Sequence, residues 1–393
     1  MDGLQRLIQL SSQMDLEPAE EAGRLGGLPA GCPGIDPPPG RPARKDVPDI
    51  SQAVLPGGRT IPLLKTLLTS ACERNCYYCP FRAGRDFRRE TFKPAEMADT
   101  FMGMQRAGLV QGLFLSSGVA GGGLRTQDQL IATAEILRYK YQYRGYLHLK
   151  LMPGAEKAQV ERAMQLSDRV SVNLEAPNTR RLELLAPRKD FLEELLQPLR
   201  WVEEIRRTQS PRRSWNGRWP SMTTQFVVGA VGESDLELLQ TTAQLTQQLH
   251  LSRAYFSAFR PIADTPLENL PPESPQRQAR LYQASFLLRD YGFQLEDLPF
   301  DASTNLPLDT DPKTAWARSN LAGQPVEINR ANRQELLRVP GIGPLGADKI
   351  LSARRQGRLR QPEDLRKIGV NPARLLPYIL MDGRAPARQL RLF

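Results

Sequence analysis

From Pro62 onward, short apolar runs alternate with longer amphipathic stretches. The apolar runs predict strands at 63–68, 112–115, 146–151, 170–174, 223–228 and 254–259. The stretches between and after them predict helices at 94–107, 126–141, 156–166, 191–206, 235–250 and 276–291. Strand–helix units in series imply parallel strands joined by right-handed crossovers. An open doubly wound sheet and a partial barrel both satisfy this pattern, and in either one function gathers at the C-terminal ends of the strands. Two of the strands are polar on one face. Tyr146, His148 and Lys150 share a side of one, and Ser171, Asn173 and Glu175 share a side of the next. Adjacent polar faces suit a site inside a barrel mouth, and a solvated face is the alternative.

Composition bounds the rest. At 393 residues and 40 % hydrophobic, the chain can bury a large core and divides into two or three domains. No apolar run reaches the length of a membrane span, and the opening residues lack a cationic leader followed by an apolar core. A cytoplasmic protein without membrane contact is therefore expected. Residues 1–60 read as an irregular Pro/Gly-rich lead-in, 61–298 as the α/β body, 299–327 as a linker and 328–393 as a separate module. The charge is uneven. From Ile328 to Phe393 there are 14 Lys and Arg against 5 Asp and Glu, which is +9 of the chain's net +10. A basic block on a near-neutral body points to a polyanion, and a solubilising tail is the alternative.

The chemistry starts at Cys72-Glu-Arg-Asn-Cys76-Tyr-Tyr-Cys79, directly after the first predicted strand. Only one other cysteine, Cys32, and two histidines, His148 and His250, occur in the chain. A zinc site normally takes four protein ligands, and no fourth lies nearby. Three thiolates fit a [4Fe–4S] cluster with one iron left for another ligand. Zinc with a distant ligand, or unliganded buried thiols, are the other readings. Cys32 stands alone in the lead-in and reads as a free thiol.

C-x3-C-x2-C after the first strand of a six-unit β/α chain resembles the radical S-adenosylmethionine (SAM) superfamily. That resemblance implies a partial (β/α)6 TIM-like barrel, with a cluster held by Cys72, Cys76 and Cys79. It also implies SAM on the fourth iron and a 5′-deoxyadenosyl radical that takes hydrogen from substrate. Tyr78 fills the family's aromatic position beside the adenine. Ser116, Ser117 and Gly118 stand where the family has a Gly-Gly-Glu segment for the methionine amino group, without its acid. Lys150 would meet the SAM carboxylate, Asn173 the ribose, Glu175 cofactor or substrate, and Gly229 the adenine. An electron donor such as flavodoxin or ferredoxin is implied as a partner.

The basic block contains a second motif. Asn329–Arg338 predicts a short helix, Val339-Pro340-Gly341-Ile342-Gly343 a turn, and Pro344 onward a second helix. This resembles the helix-hairpin-helix module, a small all-α DNA-binding unit. The two glycines allow a tight hairpin and the following helix start offers N–H groups to a phosphate. Lys349 and Arg354 add charge. A weaker copy is expected at 365–379, with Ile368-Gly369-Val370 as hairpin and Asn371 as cap. Arg206, Arg207, Arg212, Arg213 and Arg218 flank Trp215 and Trp219, which suits either a nucleic-acid clamp or a solvated loop.

From Pro62 on, the chain resembles one radical SAM subgroup, associated with DNA modification or repair and with uracil-DNA glycosylase. The stretches HLKLMPGA, DRVSVNLEAPN, YFSAFRPIADTPLE and DPKTAWA carry that likeness. It implies a radical enzyme acting on DNA. The alternatives are a radical enzyme acting on RNA and a non-catalytic DNA-binding protein that senses redox state through its cluster.

Overall fold

A computed structural model of the chain describes residues 3–12, 48, 50–54 and 59–386. Cys32 and most of the Pro/Gly lead-in lie outside the described residues. The chain divides into two compact units. One holds most residues up to Glu233 together with Gln244–Ser274, and the other holds Ser234–Ala243 and Pro275–Phe393.

The first unit is built on a seven-stranded sheet whose strands follow one another in sequence order and curl into a half-barrel. β1 (Ile50–Val54) runs antiparallel to β2 (Thr60–Leu67). β3 (Gly112–Ser116), β4 (Tyr146–Lys150), β5 (Arg169–Glu175), β6 (Ser221–Val228) and β7 (Arg253–Ala258) then add in parallel. The six predicted strands are therefore present within three residues at each end. β1 and α1 (Gly3–Ser12) are additional, inside the stretch read as irregular. β1 is too short and too mixed to carry a pattern of its own, and it gains order by pairing with β2.

The crossovers are α2 (Pro94–Arg106), α3 (Gly123–Glu135), α4 (Lys157–Leu166), α5 (Thr179–Leu185) with α6 (Gln197–Thr208), and α7 (Asp235–Leu249). Two predicted helices are interrupted. Residues 136–140 and 191–196 adopt π-helical turns at the ends of α3 and before α6. Helical periodicity does not distinguish such turns from ordinary α-helix. Leu113, Leu115, Leu147, Leu149, Val170 and Val172 are buried on one side of the sheet. The other side carries Lys65, His148, Lys150, Ser171, Thr223 and Gln225, buried and polar. The alternation read from the strands thus marks a polar inner wall rather than a solvated face.

The second unit contains α8 (Pro275–Asp290), α9 (Pro312–Asn320), α10 (Arg333–Arg338), α11 (Pro344–Ala353) and α12 (Pro362–Lys367). A two-stranded parallel pair, β8 (Val326–Glu327) and β9 (Ile379–Leu380), joins them, so the unit is not wholly helical. α9 lies in the stretch read as a linker. Asp311 caps it by accepting the Thr314 N–H at 3.0 Å, with Pro312 in the first turn. Its Ala317 and the following Leu321 are buried with Leu336, Val339, Ile342 and Ile350. Nine residues of modest apolar content leave a weak period, and helicity here comes from that shared core.

Candidate functional site

The three cysteines lie in the loop that leaves the C-terminal end of β2. The loop is fixed at several points. Leu68 N–H donates to Ser116 O (2.8 Å), Gly118 N–H to Thr69 O (2.7 Å) and Glu73 N–H to Val119 O (2.8 Å). These bonds tie the cysteine loop to the segment after β3. Gly118 is required there, because a Cβ would stand 2.3 Å from the Ala71 carbonyl oxygen. Glu73 accepts the N–H groups of Gly121 and Gly122 at 3.2 and 3.3 Å. Arg89 closes the far side of the loop, donating to the carbonyls of Ser70 (2.8 Å), Phe81 (3.0 Å) and Arg82 (2.9 Å). Hydrogen bonds from a charged donor are worth about 1.5–3 kcal/mol each, so Arg89 is the main staple of the loop. A cavity of about 520 Å³ opens beside it, lined by Cys72, Glu73, Arg85, Asp86 and Gly121 among others.

Cys76 is buried and Cys72 and Cys79 are half-buried. Burial pushes the Cys76 thiol up, and Lys189 opposes that rise. Burial, then the neighbouring Cys76 thiol, push Cys79 well above the usual thiol range. Tyr78 is likewise raised well above its ordinary value by burial and by Glu175. Lys189 donates to Glu175 at 3.0 Å, with both side chains nearly fully buried. Burial alone would lower Lys189, but the Cys76 thiol and the Glu175 carboxylate raise it. Glu175 sits at a bulge in β5 with φ 66°, a left-handed conformation that a non-glycine residue adopts at some cost. Arg74 ion-pairs Glu194 at 2.5 Å and so ties the loop to the π-helical turn before α6.

The structure thus gathers Cys72, Cys76, Cys79, Tyr78 and Glu175 around one loop. It adds Lys189, which sequence reasoning missed because no motif surrounds it. Ser116 and Ser117 are buried at the end of β3, and the Ser117 hydroxyl donates to Gly118 O at 2.8 Å. Lys150 and Asn173 meet each other, with Lys150 Nζ donating to Asn173 Oδ1 at 2.5 Å. Gly229 follows β6, and its N–H is held by the Glu233 carboxylate. His148, stacked on Phe114 and bonded to Ser171 at 2.8 Å, is pushed well below its ordinary value by burial and by Lys150.

In the second unit, α10, the 339–343 turn and α11 form the expected hairpin. Val339, Pro340 and Ile342 are buried beneath it. Gly341 is exposed with φ 88°, which only glycine adopts freely, and Gly343 caps α11. Lys313 of α9 lies under the turn and donates from Nζ to Ile342 O at 2.5 Å. Lys349 and Arg355 are exposed. Arg354 turns inward and donates to Ala331 O at 2.5 Å and Ile328 O at 3.2 Å, satisfying carbonyls of the module. The second copy keeps its cap, Asn371 accepting Ala373 N–H at 3.1 Å. Its last helix is reduced to short 3₁₀ turns.

Residues 66–240 match the family model of the Radical SAM superfamily. Residues 322–374 match the helix-hairpin-helix motif. Among solved structures, methylornithine synthase (PylB) is similar at 13 % identity and a TM-score of 0.46, over 57 % of this chain and 61 % of that one. The [FeFe]-hydrogenase maturase HydG from Carboxydothermus hydrogenoformans follows at 14 % identity and 0.43, over 57 % and 51 %. The radical SAM methyltransferase TsrM from Kitasatospora setae stands at 14 % and 0.40, over 52 % and 38 %. This chain therefore spans less than two thirds of each of them. No curated protein matches the chain.

The Radical SAM superfamily, whose model residues 66–240 match, uses a [4Fe–4S] cluster and SAM. The thiol loop fits that cluster. Three thiols on one loop can each bind a different iron and leave the fourth iron for another ligand. A cation beside Cys76 and Cys79, Lys189, favours the thiolate forms of those two. No helix among the described residues is long and apolar enough to cross a membrane.

Proposed function

We propose that this chain is a radical SAM enzyme that acts on a nucleotide in DNA. The observation that carries the reading is a cysteine loop of the radical SAM kind and a helix-hairpin-helix in one polypeptide. Cys72, Cys76 and Cys79 would hold the cluster. Tyr78 and Gly229 would meet the SAM adenine, Ser116, Ser117 and Gly118 its amino group, and Lys150 with Asn173 its carboxylate and ribose. When bound, these cofactors supply the radical that removes a hydrogen atom from substrate.

The chain's own residues hold and insulate the site. Arg89 and Gly118 set the path of the loop, and Lys189 offsets the negative charge that thiolates and Glu175 bring into a buried place. The polar inner wall keeps His148 neutral and Lys150 oriented by Asn173. In the hairpin, the exposed turn at Gly341 and the start of α11 would meet phosphates, with Lys349 and Arg355 beside them. Such contacts read backbone rather than sequence. A one-electron donor such as flavodoxin or ferredoxin, and a functional link to uracil-DNA glycosylase in repair or modification, belong to the same reading.

Filter binding of duplex DNA at two salt concentrations tests the DNA half. Binding should fall steeply with salt, and Lys349→Glu/Arg355→Glu should weaken it and flatten the slope by about two. Binding unchanged in that variant would remove the hairpin from the interface. Competition by tRNA that exceeds duplex DNA would favour an RNA substrate.

A further inference from the structure

A second cavity lies at the other end of the half-barrel. It has a volume of about 580 Å³ and is lined by Arg59, Gln105, Tyr141, Tyr143, Arg144 and Tyr146 among others. Arg59 precedes β2 and Tyr146 opens β4, so the cavity sits at the N-terminal ends of the strands. The cysteine loop leaves the C-terminal end of β2. Eight strand residues at about 3.3 Å each separate the two by roughly 25 Å. This cavity is therefore not part of the cluster site.

Its wall is built with care. The π-helical turn Ile136–Lys140 leads directly into it, and such turns recur at functional sites. Gln142 follows with φ 54°, left-handed for a non-glycine residue. The buried Arg138 locks this geometry. It donates to Leu166 O (2.8 Å), Tyr143 O (2.7 Å), Gly145 O (2.9 Å) and Asp168 Oδ2 (3.1 Å). Its guanidinium also lies 3.7 Å from the Trp215 ring centre. Backbone strain held by a buried cation is costly and persists where the local shape matters. Asp168 further accepts Asn216 Nδ2 at 3.2 Å, which fastens the Arg- and Trp-rich segment to the same end of the sheet.

Trp215 is covered by Arg138, and Trp219 donates to Gln209 O at 3.3 Å. The half-buried rings of Tyr141 and Tyr146 add aromatic surface at the cavity, with Arg212 and Arg218 exposed on the adjoining loop.

We propose that this cavity receives one unstacked nucleotide of a nucleic-acid single strand, away from the reacting site. Its base lies against Tyr141 and Tyr146, and its flanking phosphates meet Arg59 and Arg144. The volume falls within the range of small-ligand pockets, about 300–1,000 Å³. Aromatic faces stack on any base, and exposed arginines at the rim track the phosphates. The amides of Gln105, Gln111 and Gln142 offer donors and acceptors to a base edge. The inference rests on the reading of this protein as acting on nucleic acid.

The test is photocrosslinking of the full chain to a single strand of about 12 nucleotides carrying 5-iododeoxyuridine, with adducts mapped by mass spectrometry. Adducts within residues 141–146 are expected. Arg59→Glu/Arg144→Glu should weaken strand binding about tenfold. Gln105→Trp, which fills the cavity from α2, should remove the adducts without changing the melting temperature. If the strand binds but crosslinks elsewhere, with affinity unchanged in the arginine variant, the cavity assignment is overturned while the nucleic-acid reading stands. If no strand or duplex binds at all, the nucleic-acid reading fails and this inference fails with it.

Discussion

Lys189 and Glu175 form a buried ion pair beside the thiols, and removing one partner of such a pair leaves an uncompensated charge. Lys189→Met should cost about 3–5 kcal/mol in urea unfolding, and adding Glu175→Gln should restore part of it. A second test lies in Lys313, whose amine is pushed down to about 7, chiefly by burial. Its folded value is below its unfolded value, so charging it opposes folding. The penalty is absent above the unfolded value, grows as pH falls through the interval, and is complete below about 7. The stability difference between wild type and Lys313→Met should therefore change between pH 7 and 10 and stay flat below 7. The cysteines were legible because three in eight residues have few other uses. Lys189 was not, because it reaches the thiols only through the fold. Arg354 looked like surface charge, whereas it caps carbonyls inside its own module.

Parallel strands announced themselves by apolar runs of strand length, and most helices by their period. What escaped were elements stabilised by neighbours rather than by their own composition. β1 exists by pairing with β2, and α9 by packing Ala317 and Leu321 into the hairpin core. The π-helical turn before the second cavity was equally silent, since its side chains follow an ordinary helical pattern. Among the contacts that hold the cysteine loop is the close approach of Gly118 to Ala71. Gly118→Val would drive a side chain into the Ala71 carbonyl. The barrel should still melt cooperatively, but iron bound per chain after reconstitution should fall severalfold. Full iron loading in that variant would show that the contact does not set the loop.

Across the whole chain, charge and chemistry are assigned to different units. The net positive charge is concentrated after Ile328, while the cysteines lie in the half-barrel unit. DNA affinity should accordingly respond to the hairpin, and SAM cleavage to the cysteine loop. Anaerobic reconstitution followed by dithionite reduction should give SAM cleavage in the wild type. Cys76→Ala should lose both cluster absorbance and cleavage. Lys349→Glu/Arg355→Glu should retain cleavage while losing DNA affinity. The central claim joins the two units in one reaction, and its most direct test is mass spectrometry of nucleosides. DNA incubated with reduced, cluster-loaded protein and SAM would be digested and compared with DNA treated with Cys76→Ala. A nucleoside of altered mass that appears only with the wild type is the predicted result. Identical nucleosides in both samples, alongside active SAM cleavage and tight DNA binding, would contradict it.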